Sequence, residues 1–206
     1  MGLLDEAIAY AEEEFTGDDM AHMHAVASYA RVLAQKCGAD EEIVTIAAYL
    51  HDISQPSFGG HEHNVKSAEM ATEFLRKRGY PEERIKRVAA AIRAHMHPVW
   101  GEDRATVPLE GQVLYDADKM GWAMGLCLVF GLINLGAAIP DQELTYRQVA
   151  RTLEKAKAAL QRTYRSLYTD AAKELAADGY HKALAFCDSL LALGVFLTNA
   201  FSTDEV

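Results

Sequence analysis

Apolar residues recur at intervals of three and four positions along almost the whole chain. This spacing places them on one face of an α-helix, whereas a half-buried β-strand needs strict alternation of apolar and polar residues. The sequence contains no sustained alternation of that kind between hairpin turns. It therefore predicts an all-α fold, a helical bundle.

Capping and turn residues set the predicted helix limits. Asp40 is placed to accept hydrogen bonds at the start of a helix, and Gly38 and Gly79 are placed to end helices. Gly179 is expected to separate the last two helices in the same way. The predicted helices run from Leu3 to Phe15, from Asp18 or Asp19 to Gly38, from Asp40 to Asp52, from Asn64 to Arg78, from Pro81 to Pro98, from Leu109 to Met120, from Leu144 to Leu167, from Thr169 to Ala177 and from Tyr180 to Phe201.

Length and composition favour one ordinary globular domain. The 206 residues can bury one substantial core, and no linker, repeat or low-complexity tract marks a second. We expect a single domain over residues 1–206, with a metal-binding core at about 18–120 and C-terminal helices at about 141–201.

Charge and cysteine content restrict the partners and the compartment. The formal net charge of −10 argues against a nucleic-acid duplex or a membrane, because clustered Lys and Arg drive binding to phosphate backbones. The three cysteines are far apart and are read as reduced core residues. The N-terminus lacks the basic and then apolar pattern of a signal peptide. We therefore expect a cytoplasmic protein with a small-molecule substrate.

One stretch, Gly121 to Ile139, carries no charge and is nearly long enough to span a bilayer. Its four glycines and Asn134 lower its hydrophobicity, and it lacks the basic flanks of a membrane helix. We interpret it as a buried helical segment, either in the core or at the interface of a homodimer.

Helical register separates two neighbouring histidines of the second helix. His22 shares a face with Val26 and Leu33, whereas His24 falls with polar positions. We expect His22 to point inward and His24 to face water. Because an inward histidine is more often a hydrogen-bonded core residue than a ligand, the role of His22 depends on its partners.

The adjacent pair His51 and Asp52 follows an apolar run that should be buried. A buried aspartate without a partner would cost several kcal/mol or take up a proton, and a cation would remove that penalty. The alternative is that Asp52 caps the next turn while His51 bonds to a carbonyl group.

Farther along, Asp118 lies one helical turn after Leu114 on the same apolar face.

These elements together resemble the HD superfamily of metal-dependent phosphohydrolases, whose pattern is a lone His, then His-Asp, then a distant Asp. The resemblance covers most of the chain from about residue 18 onward. It implies that His22, His51, Asp52 and Asp118 hold a divalent metal ion, of which Mn, Fe, Zn, Ni, Co and Mg are the options. The matching segments are Asp19 to Val26, Ala47 to Ile53, Asp116 to Met120 and Ser166 to Lys173. After Met120 the apolar stretch departs from the family pattern, which affects the expected substrate pocket.

Other histidines crowd the region where some members of the superfamily place a second metal or a catalytic acid. His95 lies on the inward stripe of its helix and is the best candidate. His63 follows a glycine-rich loop that leaves its direction open, and His61 and His97 are weaker candidates.

Asp116 has two possible roles. It is either an acceptor that orients a ligand or Lys119, or a solvated helix-surface residue.

The expected chemistry is hydrolysis of a small phosphate ester or a nucleotide by metal-activated water. In that reaction Asp52 could accept a proton and His95 could donate one. Lys119, Arg93 and Lys66 are the expected contacts to substrate oxygens. Two alternatives stay open: a di-iron oxygenase of the same superfamily, with His63 and His95 on a second ion, and a binding or regulatory module in which the metal is structural.

Overall fold

The computed structural model describes residues 2–15, 18–58, 62–96, 98, 101–138 and 145–201. Every regular element within these ranges is helical, which confirms the predicted all-α class. A 3₁₀ helix covers Gly101–Thr106, and the α-helices are α1 (Leu3–Glu14), α2 (Asp18–Cys37), α3 (Glu41–Leu50), α4 (Gln55–Phe58), α5 (His63–Lys77), α6 (Glu82–Ala94), α7 (Leu109–Ala123), α8 (Leu126–Ala138), α9 (Tyr146–Ser166) and α10 (Asp170–Phe201).

Contacts within the chain define two compact units. The first comprises Met1–Met120 with Leu167–Ala172, and the second comprises Gly121–Ser166 with Lys173–Val206. Each unit has a hydrophobic core of its own. The single domain expected from the sequence stays a prediction.

Helix α3 is the central element of the first unit. Its residues from Ile43 to Leu50 are all buried, because α1, α2, α5 and α6 contact it on different sides. Asp40 caps its start, as predicted, and accepts a hydrogen bond from Ile43 N at 3.2 Å. The residues that follow Leu50 therefore enter the interior of this unit, and His51 is the first of them.

The second unit is built from α8, α9 and α10. Its core contains a buried leucine and alanine stripe of α9 together with residues of the other two helices, namely Cys127, Leu128, Leu153, Ala156, Leu160, Tyr180 and Cys187. The basic residues of α9 lie on its exposed face; they are Arg147, Arg151, Lys155, Arg162 and Arg165.

The predicted helix break at Gly179 is wrong. Helix α10 continues through this residue from Asp170 to Phe201. A Cβ atom at Gly179 would lie 2.9 Å from the Cβ atom of Met124, which is too close for ordinary packing. The glycine therefore allows α10 to approach Met124 and does not end the helix.

The apolar stretch from Gly121 to Ile139 is not one buried helix, which corrects the expectation of a buried helical segment in the core. Its described part forms the end of α7, a turn at Gly125 with φ of 113°, and α8. Several large side chains of α8 are exposed, with Ile133 at 59%. No single helix of the described chain is long and apolar enough to cross a bilayer. The bent pair of α7 and α8 together reaches the length and apolar composition of a membrane span, and this statement rests on length and composition alone.

Candidate metal centre

Six side chains from five parts of the first unit meet at one cluster. His22 lies on α2, and His51 and Asp52 follow α3 directly. His63 begins α5, His95 follows the last residue of α6, and Asp118 lies on α7. Ion-pair distances connect all six side chains. The structure thus brings together the four predicted metal ligands and both predicted accessory histidines.

His51 is the most enclosed member of this cluster. Its side chain is fully buried, and its Nδ1 lies 2.8 Å from the carbonyl oxygen of Ala48. Because a carbonyl only accepts, Nδ1 carries the hydrogen and the Nε2 lone pair faces the cluster. Nε2 lies 3.4 Å from Asp52 Oδ2 and 3.8 Å from Asp118 Oδ1. Burial lowers the pKa of His51, which keeps the ring neutral and able to bind a cation.

His22 reaches the cluster from the surface. Its Nε2 lies 3.3 Å from Asp118 Oδ1, and its side chain is 42% exposed. The predicted direction toward the site is observed, but the predicted burial is not, because His22 stands at the open edge of the cluster. A hydrogen bond to Asp118 raises the pKa of His22. His24 lies outside the cluster, with Nδ1 3.0 Å from the hydroxyl oxygen of Tyr49.

The two carboxylates are held in the charged form by their neighbours. Burial would raise the pKa of Asp52, but the rings of His51, His63 and His95 hold it well below its usual range. Burial likewise opposes ionisation of Asp118, and the hydrogen bond from His22 and the charge of Lys119 outweigh it. Both side chains are therefore anionic oxygen donors at neutral pH.

His63 and His95 form a pair on the far side of Asp52. Their Nε2 atoms lie 3.2 Å apart, and Asp52 Oδ1 is 3.1 Å from that of His63 and 3.3 Å from that of His95. His95 is buried, as its helical register predicts, and its Nδ1 lies 2.6 Å from the carbonyl oxygen of Ile92.

Polar contacts fix the position of His63. Ser54, in the turn after Asp52, donates from Oγ to the carbonyl oxygen of His63 at 3.0 Å. Ser54 Oγ accepts in turn from Ser67 Oγ at 3.0 Å, one helical turn farther along α5. Asn64 donates from Nδ2 to the carbonyl oxygen of Arg93 at 2.8 Å, which joins the start of α5 to the end of α6. Sequence reasoning missed these contacts, since serine and asparagine at such positions carry no specific signal.

Asp116 has a role that the sequence did not suggest. It is fully buried and accepts hydrogen bonds from Tyr168 N at 2.6 Å, Thr169 N at 2.8 Å and Thr169 Oγ1 at 2.7 Å. This burial corrects the reading of a solvated helix-surface residue, and among the described residues these hydrogen bonds of the carboxylate run to Tyr168 and Thr169. Burial raises its pKa to about 6 against these hydrogen bonds. The sequence signal for this contact was the resemblance of the segment Ser166 to Lys173 to the family pattern.

The three predicted substrate contacts differ in position. Lys119 Nζ lies 2.5 Å from Asp118 Oδ2, directly beside the cluster. Lys66 is half-buried on α5, one turn after His63. The Arg93 side chain is exposed, and within the described ranges no contact connects it with the cluster. His61 and His97 lie outside the described residues.

The donor set fits a divalent cation. Ligand atoms of His22, His51 and Asp118 all lie within 4.8 Å of one another, and so do those of His51, Asp52 and His95. Within the described chain, neither His51 Nε2 nor Asp52 Oδ1 has a hydrogen-bond partner of good geometry. Buried polar atoms are rarely left in that condition, and a cation would satisfy both. Neutral imidazoles with carboxylates suit ions such as zinc, manganese or iron.

Comparisons with known proteins identify the family of this chain. The family model described as HD domain matches residues 20–122. A predicted HD superfamily hydrolase from an uncultured Thermotogales bacterium is 25% identical, with 92% of this chain and 91% of that chain covered and a TM-score of 0.60. No curated protein matched.

Two further solved structures share the fold at lower identity. Bacillus subtilis YpgQ in complex with ADP is 24% identical, with 91% of this chain and 92% of that chain covered and a TM-score of 0.65. An HD-superfamily hydrolase from Bacillus thuringiensis is 20% identical, with 91% and 94% covered and a TM-score of 0.68.

Proposed function

The chain belongs to the HD-domain family, and on that basis we propose that it is a divalent-metal-dependent phosphohydrolase acting on a small phosphate ester or a nucleotide. One observation carries the proposal above all. The buried Nε2 lone pair of His51 faces two ionised carboxylates, and in the described residues this nitrogen has no aligned hydrogen-bond donor. A fixed lone pair among anionic oxygens is a ligand set for a cation.

His22, His51, Asp52 and Asp118 would hold the ion. When bound, a divalent ion lowers the pKa of a coordinated water and polarises a phosphoryl oxygen. Four protein donors leave coordination positions for water and substrate on most of the candidate metals. The ring of His22 is 42% exposed, so the side of the cluster that it forms is open to solvent and to a small substrate.

The residues of the chain would supply the remaining steps. Lys119, paired with Asp118, offsets negative charge on the substrate next to the site. Asp52 is an acceptor for the proton of the attacking water. The pair of His63 and His95 lies in contact with Asp52 and can pass a proton to the leaving oxygen. Ile92 fixes the ring of His95 through its carbonyl oxygen.

A nucleotide is the first substrate class to test. The ADP bound by Bacillus subtilis YpgQ is a property of that protein, and it supports the choice of nucleotides for this one. The test measures phosphate release from nucleoside mono-, di- and triphosphates and from a general phosphate ester. Each assay runs with added manganese, zinc or iron and with a chelator. Activity that depends on a metal and disappears with chelator is the expected result.

Matched variants test whether this cluster is responsible. His51→Ala and Asp118→Ala should lose both bound metal and turnover, whereas His24→Ala should keep both, because His24 lies outside the cluster. Retention of metal and activity by His51→Ala and Asp118→Ala would refute the proposal.

The oxygenase alternative has one observation in its favour. His51, Asp52 and His95 form a second group of closely spaced donors, beside His63. Two irons per chain and oxygen consumption with an organic substrate would support that alternative. The binding-module alternative predicts no turnover, so any wild-type hydrolysis that Asp52→Ala abolishes removes it.

A further inference from the structure

The second unit exposes an apolar surface formed by the last residues of α7, by α8 and by the facing side of α10. Six large side chains define this α8 face, and each is between 41% and 59% exposed: Trp122, Leu126, Val129, Phe130, Ile133 and Phe186. The rings of Trp122 and Phe130 stack with centroids 5.7 Å apart. Val129, Ile133 and Phe186 line one groove of about 570 Å³ between the two helices. Leu126, Val129, Phe130 and Ile133 are spaced three and four positions apart on α8, which joins the stacked rings to this groove.

We infer that the α8 face is the contact surface of a homodimer, in which a second copy of this chain covers it. The area is the first reason. Six large side chains of about 200 Å² each, close to half exposed, leave on the order of 600 Å² of apolar surface. This is at the upper limit for a monomeric protein. With a polar rim it approaches the roughly 800 Å² per partner of a standard stable interface.

Charge is the second reason for choosing another copy as the occupant. Helix α8 contains no charged residue in a chain with a net charge of −10. At a two-fold axis identical residues face each other, so a charged helix would repel itself and an uncharged one would not. An interfacial membrane helix normally carries Lys and Arg beside its apolar residues. Helix α8 has none, and Lys182 of α10, which lines the groove, is paired with Asp178 at 2.7 Å.

Shape is the third reason. Leu126, Val129, Phe130 and Ile133 recur at three and four positions and form a ridge along α8. The groove lined by Val129, Ile133 and Phe186 runs beside that ridge. One copy therefore offers both a ridge and a groove, and a two-fold arrangement lets each copy insert its ridge into the groove of the other. Aromatic residues are enriched at the centres of such interfaces.

The test is sedimentation of the full-length protein over a range of concentrations. Wild type should be dimeric at about 100 µM. If the interface is of ordinary affinity, the dimer should dissociate when the protein is diluted to about 1 µM. Ile133→Glu and Val129→Glu should each weaken the dimer at least tenfold. Val65→Glu is the matched control, because Val65 is similarly exposed at 40% and lies on α5 of the first unit.

Thermal melting monitored by circular dichroism establishes that the variants are folded. A wild type that stays monomeric at the highest concentration overturns the inference. So does a dimer that Ile133→Glu and Val129→Glu leave unchanged. Vesicles of phosphatidylcholine with phosphatidylserine provide a further arm: a monomeric protein that co-sediments with them would assign the α8 face to lipid and not to a second copy.

Discussion

The Nε2 atom of His63 lies 3.2 Å from the Nε2 atom of His95, and both face the same carboxylate oxygen of Asp52. His95 donates from Nδ1 to the carbonyl oxygen of Ile92. The Nδ1 atom of His95 is therefore occupied by a backbone acceptor, and its Nε2 atom faces His63 and Asp52. We assign His63, which the sequence left undirected, as the proton donor of the pair, because its side chain is 12% exposed and that of His95 is 2% exposed.

Replacement of His63 by alanine tests this assignment. If the four residues His22, His51, Asp52 and Asp118 hold one ion, His63→Ala should retain one metal per chain. Its turnover should fall about 10²-fold or more, the usual contribution of general acid–base catalysis. Metal analysis and single-turnover phosphate release measure the two effects. A fall from two metals to one would contradict the assignment and favour a second ion at His63 and His95.

His22 and His24 form a matched pair for metal affinity. They lie two residues apart on α2, but only His22 contacts Asp118. His22→Ala should weaken metal binding at least about tenfold, as loss of even an outer-sphere partner often does. His24→Ala should bind metal as the wild type does. Titration of the metal-free proteins, followed by calorimetry, measures both affinities, and equal losses in the two variants would argue against His22 as a ligand.

The sequence was sufficient for much of the fold and for the central part of the candidate site. Periodicity gave the helical class, because a helix returns the same face every three to four residues. It also distinguished His22 from His24 and placed His95 on an inward stripe. The structure buries His95 as the periodicity predicted, whereas His22 is directed toward the cluster but stands exposed at its open edge.

Contacts between distant segments could not be predicted in this way. The partners of Asp116 lie more than 50 positions away in sequence, at Tyr168 and Thr169, and helical register says nothing about them. The prediction of a helix break at Gly179 was wrong for a related reason. Its local signal is that of a helix end, but its close neighbour Met124 belongs to another segment.

Asp116→Ala should destabilise the first unit. The backbone N–H groups of Tyr168 and Thr169 would lose their acceptor inside the protein, and each unsatisfied buried donor costs about 1–3 kcal/mol. The expected loss is about 2–5 kcal/mol in the free energy of unfolding, measured by urea denaturation. Asp116→Asn keeps one acceptor oxygen and should lose less. Asp103→Ala, at an exposed position, is the control and should change stability little.

Gly179→Ala should also destabilise the protein, and by a different mechanism. The added Cβ would meet Met124 Cβ at 2.9 Å and Met124 Cα at 3.3 Å. Overpacking of this kind costs about 1–3 kcal/mol. Ala is a better helix former than Gly by up to about 1 kcal/mol, so a stabilised Gly179→Ala would mean that the close approach of α10 to Met124 is absent. Urea denaturation decides between the two outcomes.

Asp40 should make part of the stability depend on pH. Partial burial would raise its pKa, but the hydrogen bond from Ile43 N and the Arg84 guanidinium together hold the pKa below its ordinary value. Arg84 lies 3.1 Å from Asp40 and Arg87 lies 3.4 Å from it. The folded state therefore favours the carboxylate, and its stabilisation is fully present above the unfolded pKa of about 3.9. This stabilisation disappears as pH falls through the folded pKa.

Asp40→Asn isolates that charge effect, because asparagine still caps a helix. At neutral pH the variant should be less stable than wild type by about 0.5–1 kcal/mol, the contribution of partly exposed ion pairs. The difference should shrink as pH falls below about 4. Urea denaturation of both proteins at a series of pH values measures it, with Asp103→Asn as the exposed control. A difference that stays constant down to the lowest pH would show that the arginines do not stabilise the carboxylate.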